Sequence, residues 1–260
     1  MLVRFRPGAP LHFSHISISR QDGPFAPHAP ASGIAPLERT IEPAIDGYMI
    51  QRDPDFPSRA LRLPLIAGEL SFDFANSIAD RGGSQHDDYM PEARDIVVWA
   101  HLAKLLGDAD RDWALAAIAQ DDALASRLRA EAHRLRDAVY AIGVALAAGE
   151  TPREEDRAAL AAIHAQCLGR ARLSPAVEGF AWNWDPRLDL VAAVLGPIAL
   201  SALALLTQQD LARVKRCEGD HCGWLIYDAT KNRRRRWCEM ETCGNRAKIR
   251  AFRARKIEAK

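Results

Sequence analysis

Four of the five cysteines in this chain fall within residues 217–243, spaced as Cys217-x4-Cys222-x15-Cys238-x4-Cys243. A pair of thiols a few residues apart can wrap one edge of a tetrahedron, and two such pairs complete a closed zinc site. The pattern therefore predicts one structural Zn2+ held by Cys217, Cys222, Cys238 and Cys243. Four thiolates leave no open position for water, so hydrolytic zinc chemistry is not expected there. Redox thiols and another metal are the competing readings, and His221 is the one further candidate ligand. The opening MLVRFRPGAPLHFSH has no uninterrupted apolar run of signal-peptide length. The expected compartment is the reducing cytoplasm, where clustered cysteines bind metal more often than they pair.

Around the cysteines the sequence reads as a small finger. WLIYD alternates as a strand, with Trp224, Ile226 and Asp228 on one side and Leu225 and Tyr227 on the other. ATKN is a turn, RRRRWC is expected to return as the second strand, and CGNRAKIRAFRARK opens a helix at the last ligand. Knuckle, hairpin and ligand-bearing helix together make a treble-clef-like four-cysteine finger. Ile249 and Phe252, three apart, are expected to pack inward, while Arg246, Arg250 and Arg253 form a cationic stripe.

Charge is divided unevenly. The chain has a net charge of +1, but residues 213–260 carry 15 Lys/Arg against 6 Asp/Glu, and residues 65–212 carry 13 against 22. An acidic body with a basic tail is the asymmetry of a protein that meets a polyanion at one end. The candidate nucleic-acid contacts are Arg233, Arg234, Arg235, Arg236, Arg246, Lys248, Arg250, Arg253 and Arg255. For Arg246 and Asn245, bracing the finger backbone is the competing role.

With 48% hydrophobic and 27% charged residues, the remainder reads as a soluble, mainly α body. Residues 1–60, rich in Pro, Gly, Ser and His, are expected to be a disordered leader or a mis-called start, with Met49 as an alternative initiator. The helical domain is expected over 65–212 and the finger over 213–260. MPEARDIVVWAHLAKLLG predicts a helix with Pro91 in its first turn and Gly107 as its stop. Residues 110–148 read as one or two helices with Leu124, Leu128, Leu135, Val139, Ile142 and Leu146 inward, and Arg127, Arg129, Arg134 and Arg136 largely outside. The next helix is expected to be capped by Thr151, and Cys167 near its end to be an inert buried thiol. LSPAVEGFAWNWDP predicts a β-hairpin. LVAAVLGPIALSALALL, just short of a membrane span, reads as a buried core helix with Pro197 in its first turn, so no membrane partner is expected. Asp73 and Asn76 either line a small-molecule pocket or satisfy buried backbone.

Two motifs resemble a known family. CGNR at 243–246, preceded by RRRRWC and by the first cysteine pair with GWLIYD, is similar to the CGNR zinc finger. ELSFDFANS resembles the opening of the ABATE domain, which accompanies that finger in bacterial proteins described as stress-induced transcription regulators. The resemblance implies that the four cysteines are zinc ligands and that the C-terminal part binds DNA. No glycine-rich phosphate loop, nucleophile elbow or HExxH is present, so an enzyme is not expected. The expected function is a DNA-binding transcriptional regulator whose helical domain dimerises or senses an effector. The alternatives are a finger that contacts RNA or protein and a helical domain with ligand-binding or enzymatic activity.

Overall fold

The computed structural model describes residues 58–84, 86–176 and 179–258; the expected leader, up to residue 57, lies outside the described residues. The body begins earlier than expected. Ser58 caps a single turn at Arg59–Arg62, and Ala60 and Leu63 are buried in the core.

The fold is mainly helical, as expected, with three small antiparallel strand pairs. In chain order the elements are α1 (Leu70–Ala75), β1 (Ile78–Ala79), β2 (Asp87–Asp88), α2 (Ala93–Leu102), α3 (Asp108–Gln120), α4 (Asp122–Ala147) and α5 (Glu154–Leu168). There follow β3 (Arg172–Ala176), β4 (Gly179–Asn183), α6 (Leu190–Gln208), β5 (Val214–Arg216), β6 (Leu225–Tyr227) and α7 (Asn245–Glu258). The pairs are β1 with β2, β3 with β4 and β5 with β6.

Sequence chemistry accounts for most of the boundaries. Asp121 caps α4 by accepting from the amides of Ala123 and Leu124, and Gly149 in the left-handed region (φ 74°) follows its end. The buried stripe of α4 is Leu128, Ala132, Leu135, Val139 and Ile142. Cys167 is buried as expected, and burial pushes its thiol up to about 11.

Five local expectations are corrected. Helix α2 starts after a capping box of Glu92 and Asp95, which leaves Pro91 outside it. It also stops at Leu102, and Gly107 caps the next helix instead. Helix α5 is preceded by Arg153 rather than Thr151, because Glu154, Glu155 and Asp156 fill its positively polarised first turn. Arg136 is buried, not outside: it grips Asp88 with two bonds of 2.8 Å. Pro197 lies inside α6, which begins at Leu190 with Asp189 accepting from the amide of Ala192. Burial of Leu190, Val191, Val194 and Leu195 outweighs the one backbone bond that the proline removes. Helix α6 is long and apolar enough to cross a membrane, with mean hydropathy 2.3, but most of that stretch is buried against α4, α5 and α1.

The main core runs from Ala60 through the helices and continues into Val214, Leu225 and Tyr227. The β5–β6 hairpin is thus part of the body's own core. Gly143 on α4 makes room for it, since a Cβ there would lie 2.3 Å from a methyl of Leu225.

Candidate metal centre and basic helix

Strand β6 pairs with β5, not with the arginine run. The first cysteine pair therefore sits in the turn of the β5–β6 hairpin, with the Cys217 amide bonded to the Trp224 carbonyl at 2.7 Å. The expected alternation in WLIYD holds. Leu225 and Tyr227 enter the main core, while Ile226 is buried with Cys217, Cys238 and Cys243 in a second cluster that also contacts Trp224, Trp237 and Ile66. The second cysteine pair lies across the entry to α7, and a wide turn at Met240–Gly244 carries Cys243 to its first residue.

The four sulfurs all lie within 4.8 Å of one another. Cys222 and Cys238 are 3.7 Å apart and Cys238 and Cys243 3.6 Å. A tetrahedron with Zn–S bonds of about 2.3 Å has S···S edges of roughly 3.8 Å, so the cage fits one zinc ion. The donor chemistry fits as well. Hydrogen bonding from the Cys222 thiol, then from that of Cys238, holds Cys217 down at about 2. The same contact with the Cys217 sulfur pushes Cys222 up to about 12, and Cys238 also rises. Sulfurs this crowded resist further ionisation unless a cation shares their charge. Backbone amides of Gly219 and Cys238 point at Cys217 Sγ from 3.4 and 3.2 Å. Gly219 is required for closure, since a Cβ there would sit 2.8 Å from Cys243 Sγ. His221 is outside the cage: its exposed ring lies 3.9 Å from Asp80 and its φ is 61°.

The arginine run wraps the cage as an irregular strap. Lys215 Nζ donates to the carbonyls of Arg233 (2.5 Å) and Arg235 (3.2 Å), while the Tyr227 amide of β6 is taken by the Ala67 carbonyl at 2.7 Å. Lys215 also pairs at 2.7 Å with the fully buried Asp228. Burial pushes the Asp228 carboxyl up, but bonds from Lys215, Thr230 and the Arg235 amide outweigh it and hold the group well below the usual carboxylate range. Arg235 turns inward and donates to the carbonyls of Ile66, Trp237 and Cys238. Arg233 pairs with Asp210 at 2.8 Å, and Arg236 with Glu218 at 2.5 Å while covering Trp237. Arg234 is exposed.

Helix α7 projects from this base. Asn245 donates to the Glu241 carbonyl at 3.0 Å and so braces the ligand turn. Ile249 and Phe252 do not pack inward: they are 52% and 63% exposed, because no described element beyond the preceding turn packs closely on the helix. Arg250 meets Asp220 at 2.6 Å, and Arg255 donates to the Ala251 carbonyl. Arg246, Lys248 and Arg253 are exposed and form no ion pair among the described residues.

Sequence reasoning left the joint between body and cage open, and the structure fills it. The Asn76 side chain exchanges two bonds with the main chain of Leu225, at 2.9 and 2.8 Å. Asp73 accepts from the Ala67 amide at 2.8 Å, and burial pushes its carboxyl up to about 6. Both side chains are thus committed to backbone rather than open to a ligand. Further ties run from Tyr227 N to Ala67 O, Gly82 N to His221 O, the Tyr140 hydroxyl to Gly223 O and the Trp224 indole to Ile78 O. None of these pairings has a local signal in the sequence.

No curated protein matches the chain. Two family models do: the CGNR zinc finger over residues 213–256, and the ABATE family, described as “Putative stress-induced transcription regulator”, over 68–209. Neither description is of an enzyme. The ABATE match covers more than half of the chain, and the protein belongs to the ABATE family and carries a CGNR zinc finger at its C-terminal end.

Proposed function

We propose that the chain is a DNA-binding transcription regulator in which the zinc cage holds α7 and the arginine strap against duplex DNA. The observation that carries this reading is the state of α7. Among the described residues it packs closely on no element beyond the preceding turn, and Arg246, Lys248 and Arg253 are exposed without acidic partners. An α-helix fits the major groove in width, and Ile249 and Phe252 beside the cations offer apolar contact to thymine methyls. Arg234 and Arg255 add exposed charge, and Arg233, Arg236 and Arg250 can exchange surface carboxylates for phosphates. Arg235 is a structural brace in this scheme. The protein has no catalytic role in this reading, and its stress-linked regulation follows the family description.

If about five cations meet phosphates, log affinity falls with log salt at a slope of roughly −4 to −5. Fluorescence anisotropy of a labelled duplex against the zinc-loaded chain measures this. Arg246→Ala with Arg253→Ala should weaken binding at every sequence and flatten the slope by about 2. Unchanged affinity in that double variant refutes the placement of α7 on DNA. The exposed pair Ile249 and Phe252 also favours a second reading, a finger that contacts RNA or protein. Competition by structured RNA stronger than by duplex DNA selects it.

A further inference from the structure

Arg216, the last residue of β5, is a cation that the regulator reading leaves unused. Its near neighbours are spent inside the fold: Arg213 on the carbonyls of Asp228 and Thr230, and Lys215 on the Asp228 carboxylate and the arginine strap. Arg216 is exposed and makes no ion pair or side-chain hydrogen bond among the described residues. It lines a cleft of about 390 Å³ beside the metal cage, bounded by Gly82 of the body and by Glu218, Gly219, His221 and Gly223 of the finger. The Gly223 backbone comes close to the guanidinium: a Cβ there would lie 2.9 Å from Arg216 Nη2, and the φ of 68° also favours glycine. Glu218 is turned to Arg236 at 2.5 Å, so its charge is already answered. His221 adds an exposed ring, 3.9 Å from Asp80. No aliphatic or phenyl side chain lines the cleft, which suits it to an oxyanion rather than to an apolar ligand.

We propose that this cleft takes a backbone phosphate of the duplex, gripped by the Arg216 guanidinium with His221 at its side. The proposal rests on the DNA reading of α7 and extends it to a contact off the helix. Two observations select a phosphate of the same duplex. The loop that forms the cleft also borders α7: Asp220 meets Arg250 at 2.6 Å, and Gly219 abuts Cys243 Sγ just before the helix begins. Cleft and helix thus flank one short loop. Arg216 is also held in place from behind, since Val214 is in the main core and β5 is paired with β6 through Lys215 and Arg216. A guanidinium on a fixed backbone has less ordering to lose on binding, and it can hold a phosphate through two parallel bonds. Phosphate contacts position a protein without reading bases, so Arg216 sets the approach of α7 and not its sequence preference.

Fluorescence anisotropy of a labelled duplex with the full, zinc-loaded chain tests it. Arg216→Gln should weaken binding about three- to tenfold at every sequence and flatten the salt slope by about 1, with zinc content and far-UV circular dichroism unchanged. Arg216→Lys keeps the charge but not the two-bond grip, and should restore the slope with only part of the affinity. A series of duplexes carrying single neutral methylphosphonate links tests the contact without altering the protein. One such link should weaken the wild type about as much as Arg216→Gln does, and cost Arg216→Gln nothing further. Wild-type affinity and slope in Arg216→Gln overturn the cleft contact, even if inorganic phosphate binds the chain. If Arg246→Ala with Arg253→Ala still weakens binding in that case, the cleft contact alone falls. A wild-type chain with no affinity for duplex overturns both readings.

Discussion

Asn76 shows how much of this molecule rests on single polar side chains. Its amide makes two buried bonds to Leu225, a residue 149 positions away in the chain, and so acts as a short piece of strand joining α1 to β6. Replacement by alanine leaves a buried N–H and a buried carbonyl unpaired. Asn76→Ala should lower stability by about 2–4 kcal/mol in urea denaturation of the zinc-loaded protein. A loss under about 0.5 kcal/mol would mean that water replaces both bonds. The residue type in FDFAN is legible as a polar group in an apolar run, but its partner is not, because nothing local records a contact made across the chain. The cysteines are the opposite case. Their chemistry is set by type and spacing alone, so the cage could be read directly, whereas Arg235 and its neighbours look alike in sequence and differ only in what surrounds them.

At the scale of elements, burial decided where α6 begins, whereas capping and first-turn charge set the starts of α2 and α5. Helix α6 keeps Gly196 and Pro197 in its interior because its first two turns are almost wholly buried. Gly196 also has a packing role, since a Cβ there would lie 2.5 Å from the Trp184 indole. Helix propensity alone favours Gly196→Ala by about 1 kcal/mol. The clash with a rigid ring should reverse the sign and destabilise by about 1–3 kcal/mol, read as a lower melting temperature. A stabilised variant would show that Trp184 moves aside freely. Strand β6 found a partner that sequence did not offer, because three residues of β5 are too short to display a period. The amphipathic pattern of α7 predicted an inward face for Ile249 and Phe252, but among the described elements none beyond the preceding turn packs closely on the helix.

Across the whole molecule, body and cage share one fold. Leu225 and Tyr227 sit in the helical core, and the ties at Asn76, Ala67, Gly82, Tyr140 and Ile78 cross between the segments matched by the two families. A structural zinc contributes about 10–16 kcal/mol of apparent binding energy in small fingers at neutral pH, so its loss should reach the body through this joint. Chelation under reducing conditions should lower the melting temperature of the helical transition by several degrees or more. A helical transition at the same temperature with and without metal would mean that the two segments unfold independently. The charge division has the same logic at larger scale: in the proposed role, an acidic body would repel the phosphates that a basic end attracts and so orient the molecule on DNA. The most direct measurement is a zinc titration of the metal-free, reduced full chain, followed by anisotropy of a labelled duplex at constant salt. Duplex binding should appear in step with the metal and saturate at one zinc per chain. Equal binding by the metal-free chain, or none by the fully loaded one, would contradict a cage that presents α7 to DNA.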